Sequence, residues 1–73
     1  MVFQDMERLC YERYGCDRTV EMASRFDDLN ITADERADMA FTLEELYGIA
    51  IPDEELDAFE TLEDMVGYIE DRL

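Results

Sequence analysis

The chain has no histidine, only two cysteines and only six basic residues against 21 acidic ones. Without histidine it lacks the commonest side chain for acid–base work near neutral pH. Carboxylate neighbours such as Asp27 and Asp28, or Glu44 and Glu45, diverge on a turn or helix, so no catalytic pair is expected and the chain does not read as an enzyme. Cys10 and Cys16 without histidine make neither a zinc quartet nor a disulfide framework, and their spacing is not Cys-x-x-Cys, so both are expected to be free thiols and no metal site is expected. No apolar run approaches the ~18 residues of a membrane span and no basic start precedes one, so neither a signal peptide nor a membrane partner is expected and the default location is cytoplasmic. The shortage of positive charge leaves a net −15 over 73 residues. Such a field repels nucleic acid and anionic lipid and attracts basic protein surfaces.

What is present is a chain that folds. Its hydrophobic fraction of 48% is too high for an acidic disordered tail. Its length gives one domain, residues 1–73, expected as a monomer, at the size where helices around one small core are the usual solution. Over residues 2 to 14, Phe3, Met6, Cys10 and Tyr14 recur at helical spacing, flanked by Val2 and Leu9, and Gly15 supplies a stop. From 16 to 31 the periodicity dissolves into a long connection in which Val20, Met22, Phe26 and Leu29 are expected to plug into the core. Thr32 with Glu35 spells a capping box, opening a second helix whose stripe is Met39, Ala40, Leu43, Leu46 and Tyr47 and whose stop is Gly48. Pro52, at a first helical position before Asp53, Glu54 and Glu55, opens a short third helix, closed before Thr61. Thr61 with Asp64 repeats the capping logic, and Leu62, Met65, Val66, Ile69 and Leu73 define a fourth. The fold class is therefore all-α: four helices with a long first loop and a short third helix.

The order and spacing of "FDDL" at 26–29, "LEELYGIAIPDEEL" at 43–56 and "TLEDMVGYI" at 61–69 resemble the acyl carrier protein family across nearly the whole chain. The resemblance implies the four-helix bundle of that family and a site at the start of the second helix. There the family has an Asp-Ser-Leu triplet whose serine oxygen carries a phosphopantetheine arm. An ungapped count from "FDDL" puts Thr32, Ala33 and Asp34 in that place. Arm transfer needs an oxygen nucleophile, and the Ala33 methyl has none, so no cofactor is expected there. The alternative is a divergent true carrier modified at Thr32, but that oxygen is expected to cap the helix and lies about 100° around its axis from position 33. Ser24, the sole serine, reads as a turn residue. Asp34 replaces an apolar residue, so a carboxylate would have to be desolvated by any enzyme packing there.

The resemblance also implies that the acidic side of the second helix meets partner enzymes. At 100° per residue Asp34, Asp38 and Glu45 fall opposite the stripe of Met39, Leu43 and Leu46, with Glu35 and Glu44 on the flanks and Phe41 in the middle. Folding does not require an aromatic ring there, and a ring rimmed by carboxylates suits an interface anchor. The expected partner is the basic surface of a carrier-recognising enzyme or assembly factor of fatty-acid, polyketide or related carrier-dependent metabolism. Two other readings compete. The stretch "DLNITADERADM" from Asp28 spells oxygen ligands for a calcium loop, yet has Ala33 where the turn needs glycine and Met39 where a bidentate acid belongs. An acidic mimic of nucleic acid accounts for the charge but not for the carrier-like segments.

Overall fold

Two threonines start two of the helices by the same device. At Thr32 the backbone is extended, the Glu35 amide donates to Thr32 Oγ1 (3.1 Å) and the Thr32 amide donates to Glu35 Oε1 (3.0 Å). At Thr61 the Asp64 amide donates to Thr61 Oγ1 (3.2 Å), while the amides of Glu60 and Thr61 both donate to Asp64 Oδ2 (2.9 and 3.1 Å). Each box satisfies first-turn amides that have no partner within their helix. The computed structural model describes residues 1–73 and contains α1 (Val2–Glu12), α2 (Ala33–Tyr47), α3 (Asp53–Ala58) and α4 (Leu62–Glu70), with no strand. This is the expected all-α bundle. Gly48, at φ +67°, ends α2 with its amide on the Glu44 carbonyl (2.8 Å), a left-handed position where a Cβ is penalised. Pro52 is the cap before α3 rather than its first residue, which leaves its missing N–H just outside the helix.

Every helix contributes to one core. α1 supplies Val2, Met6 and Cys10; α2 supplies Met39, Ala40 and Leu43; α3 supplies Leu56; α4 supplies Leu62, Met65, Val66 and Ile69. No polar or charged residue is buried with them. Each large side chain enclosed there contributes on the order of 1.5–3 kcal/mol. The α1 stripe is Val2, Met6 and Cys10, centred on Met6, and Phe3 and Tyr14 sit half-buried beside it.

The long connection is ordered because its backbone is tied to the start of α4. The amides of Phe26, Leu62 and Glu63 pair with the carbonyls of Glu60, Ser24 and Met22 at 3.1, 3.1 and 2.9 Å. Val20, Phe26, Leu29 and Ile31 plug into the core from it. Asn30, left-handed at φ +58°, turns the chain so that the Ile31 amide reaches the Phe26 carbonyl.

Three residues expected inside lie outside. Met22 is exposed because its carbonyl, not its side chain, anchors that part of the connection. Leu73 is exposed because α4 ends at Glu70 and a turn carries the chain off the stripe. Leu46 is 61% exposed. α1 meets α2 through Arg13 and Tyr14 at Asp38 and Thr42, and through Asp5 at Tyr47, leaving Leu46 uncovered. Conversely, Ile51 and Phe59, which follow no helical stripe, are buried. Arg36 lies on the inner side of α2, where its guanidinium donates to the Phe59 carbonyl (3.0 Å) and stands 5.7 Å from the Phe26 ring centre.

Candidate functional site

The outer side of α2 carries apolar surface that the core does not use. Phe41 is 59% exposed and, with the similarly exposed Leu46, lines a surface hollow of about 490 Å³ completed by Arg13, Asp38, Thr42 and Glu45. Apart from Glu45, the polar side chains of this hollow are bonded to one another. Arg13 Nη1 donates to both Asp38 Oδ2 (3.0 Å) and Thr42 Oγ1 (2.9 Å), the Tyr14 hydroxyl donates to Asp38 Oδ2 (2.6 Å), and the Thr42 hydroxyl donates to the Asp38 carbonyl (3.0 Å). The hydrogen bond from Tyr14, and then that from Arg13, hold the Asp38 carboxyl below its usual range, and Asp38 in turn raises the Arg13 guanidinium. Burial, and then the bond to Asp38, push the Tyr14 phenol above its usual range.

The residues expected at this face divide in two. Asp34, Phe41 and Glu45 are exposed and make no side-chain hydrogen bond. Glu35, Asp38 and Glu44 are engaged within the fold. Glu35 closes the Thr32 cap, Asp38 is paired with Arg13, and Glu44 Oε2 accepts from the Ile51 amide (2.6 Å), which fastens the loop between α2 and α3. The structure therefore brings Asp38, Phe41 and Glu45 together, with Asp34 one turn earlier on the same side. It adds Arg13, Thr42 and Leu46 to them. Arg13 has no local signal, because it arrives from the end of α1. Leu46 was hidden by its own periodicity, since it falls at the edge of the α2 stripe rather than at its centre.

Ala33 is the first residue of α2 and is exposed, as are Thr32 and Asp34 beside it. Thr32 Oγ1 is occupied by the Glu35 amide, and Ser24 Oγ by the Glu21 amide (2.9 Å). The oxygen positions of the calcium-like spelling from Asp28 to Met39 are spread over a turn and the first half of α2, and no three Cys, Asp or Glu side chains converge to hold a metal ion. Cys10 is free and buried, and burial, with the Cys16 thiol beside it, pushes its pKa up to about 12; Cys16 is free and half-buried. No helix is long and apolar enough to cross a membrane.

The sequence is 36% identical over 70 residues to the acyl carrier protein of Helicobacter hepaticus, a match covering 93% of this chain and 92% of that protein. The acyl carrier protein of Clostridium acetobutylicum is 34% identical over 71 residues, covering 94% of this chain and 92% of its own. That of Zymomonas mobilis is 34% identical over 68 residues, covering 90% and 87%. The chain belongs to the acyl carrier protein family. No family model matches it. Its four helices are the bundle of an acyl carrier protein, and acyl carrier proteins are carriers rather than enzymes. The hollow on α2 and the bare start of the same helix are thus features of a carrier-type module.

Proposed function

We propose that this chain is a cytoplasmic, carrier-like module that is not itself loaded with phosphopantetheine and acts by binding an enzyme or assembly factor of fatty-acid, polyketide or related carrier-dependent metabolism. One observation carries this reading. Ala33, the first residue of α2, presents a methyl group where the resemblance to the family places the serine that takes the arm. Attack on a phosphoryl group needs an oxygen, and the neighbouring hydroxyl, Thr32, already accepts the Glu35 amide. Asp34 adds a charge at a position where partner enzymes would have to desolvate it. The free acids Asp34 and Glu45 around the exposed Phe41 ring support a docking role, since an apolar anchor within a charged rim is how small interfaces combine affinity with steering.

The test is incubation with a phosphopantetheinyl transferase of broad carrier range and coenzyme A, followed by intact-mass measurement. The chain is expected to gain no mass. The Ala33→Ser/Asp34→Leu variant is expected to gain one arm, showing that the docking face works and that only the attachment triplet is lost. An arm on Thr32 or Ser24 of the parent chain overturns the proposal in favour of a divergent true carrier.

A further inference from the structure

Two side chains that the proposed function does not use meet at the end of α1. Gly15, left-handed at φ +64°, turns the chain back so that the Cys16 amide donates to the Cys10 carbonyl (2.9 Å). A backbone bond of this length brings the two α-carbons within the roughly 4.4–6.8 Å that a disulfide spans. The thiols follow the backbone. That of half-buried Cys16 lies against that of Cys10, which is fully buried, and donates to the Leu29 carbonyl (3.9 Å). The spacing of the two residues gives no sign of a pair; the turn at Gly15 makes it. A bond between them would close a ring around Tyr11, Arg13 and Tyr14, which tie α1 to its neighbours. The Tyr11 hydroxyl accepts the Val20 amide (2.8 Å), and Arg13 and Tyr14 donate to Asp38 (3.0 and 2.6 Å).

Adjacent thiols can hold a metal ion or join to one another. For the first, further ligands are wanting, since no three Cys, Asp or Glu side chains converge. We infer that Cys10 and Cys16 form a reversible disulfide, a clasp over the end of α1 that a neutral peroxide closes and a dithiol reopens, its own sulfurs becoming the disulfide. Charge selects the oxidant: a net −15 repels anionic disulfides such as oxidised glutathione but not an uncharged peroxide. Cys16, the more accessible thiol, reacts first. Its thiolate forms an S–O bond as the peroxide O–O bond breaks, and the departing hydroxide takes up the proton the thiol lost and leaves as water. The Cys10 sulfur then attacks the Cys16 sulfenic sulfur; the S–S bond forms, the S–O bond breaks, and the hydroxyl leaves with the Cys10 proton as a second water. Two thiols lose two electrons and the peroxide gains them. Burial, and then Cys16 and Glu7, raise the Cys10 thiol above its usual range, and burial, with Glu35 of α2 and Asp17 of the connection, raises that of Cys16. Both are protonated at neutral pH, so the clasp closes slowly and answers sustained oxidation rather than brief exposure. The inference is independent of the docking role proposed above.

The test is incubation of the folded chain with hydrogen peroxide, then blocking of free thiols under denaturing conditions and mass spectrometry. The product is expected to carry no blocking group, to weigh about two mass units less than the reduced chain, and to give on tryptic digestion one species joining residues 9–13 to 14–18. A dithiol reductant should restore the parent mass. Closure should be about tenfold faster at pH 8 than at pH 7, because only the thiolate reacts. Cys16→Ser, which leaves the fully buried Cys10 alone, should keep its mass and take one blocking group after denaturation. Cys10→Ala, without a resolving thiol, should instead gain about two oxygens at Cys16. The closed clasp should raise the melting temperature by about 4 °C or more and slow hydrogen exchange at Arg13 and Tyr14, whose amides donate to the Leu9 carbonyl. Four results each overturn the inference: oxygen adducts on Cys16 of the parent chain without a bridge, bridging between two chains instead of within one, a bridge that forms only in denaturant, or a bridged chain that melts below the reduced one.

Discussion

α2 and α4 start alike and end up differently. Both open on a threonine box, yet α4 buries Leu62, Met65, Val66 and Ile69, whereas the longer α2 buries only Met39, Ala40 and Leu43 and leaves Phe41 and Leu46 in water. α4 is enclosed by α1 on one side and fastened to the long connection at its start. α2 is held by α1 through a polar network and by α3 through Arg36, contacts that fix the helix without covering its outer side. α4 is matched to the needs of folding. α2 carries apolar surface beyond those needs, and surplus of that kind, set among free carboxylates, is where a binding role is to be sought.

The comparison is most severely tested in α4. Met65 is fully buried, and Met65→Ala should cost about 2–5 kcal/mol by chemical denaturation, enough to unfold much of a domain of this size. A loss below about 1 kcal/mol would mean that α4 is no more essential to the core than α2. The cap is a smaller matter. Asp64→Ala should cost about 1 kcal/mol by removing the acceptor of two backbone amides.

Its charge can be separated from its shape by pH. Hydrogen bonds from the Glu60 and Thr61 amides hold the Asp64 carboxyl below its usual range. The stabilisation that charge provides is therefore complete above the unfolded-chain value of about 3.9 and lost as pH falls through the lower folded value. The stability gap between the parent chain and Asp64→Asn should close as pH is lowered from 6 toward 3. A gap that stays constant would show that the carboxylate charge plays no part.

The smallest effect is expected on the outer side of α2. Phe41→Ala and Leu46→Ala should each change stability by no more than about 0.5 kcal/mol, as surface substitutions do. If either melts the domain, the distinction between the two helices fails and the hollow belongs to the core.

The helices were legible because their punctuation is local: Thr32 with Glu35, Gly48, and Thr61 with Asp64 act within a few residues of their own positions. Most of the core followed from spacing of three and four. What spacing cannot show is which element covers a given stripe, and so Leu46, Leu73 and Met22 were expected inside while Ile51 and Phe59 were not expected there. The site divides along the same line. Phe41 and the acids beside it were readable from one helix, whereas the engagement of Asp38 and Glu44 was not. Those two carboxylates meet Arg13 from α1 and the Ile51 amide beyond Gly48, partners that only the folded chain brings near.

The backbone bonds between the long connection and the start of α4 also set an order of assembly. The carbonyls of Met22 and Ser24 and the amide of Phe26 have no backbone partner until Glu63, Leu62 and Glu60 arrive, although the segment between them contains the whole of α2 and α3. The connection can therefore close against α4 only after α2 and α3 have been made. Closing so large a loop is entropically the slow part of folding such a chain. The α2 cap, being local, needs none of this. The outer side of α2 can thus form as a helix early, and it gains the Arg13 network that completes its hollow when the end of α1 docks against it.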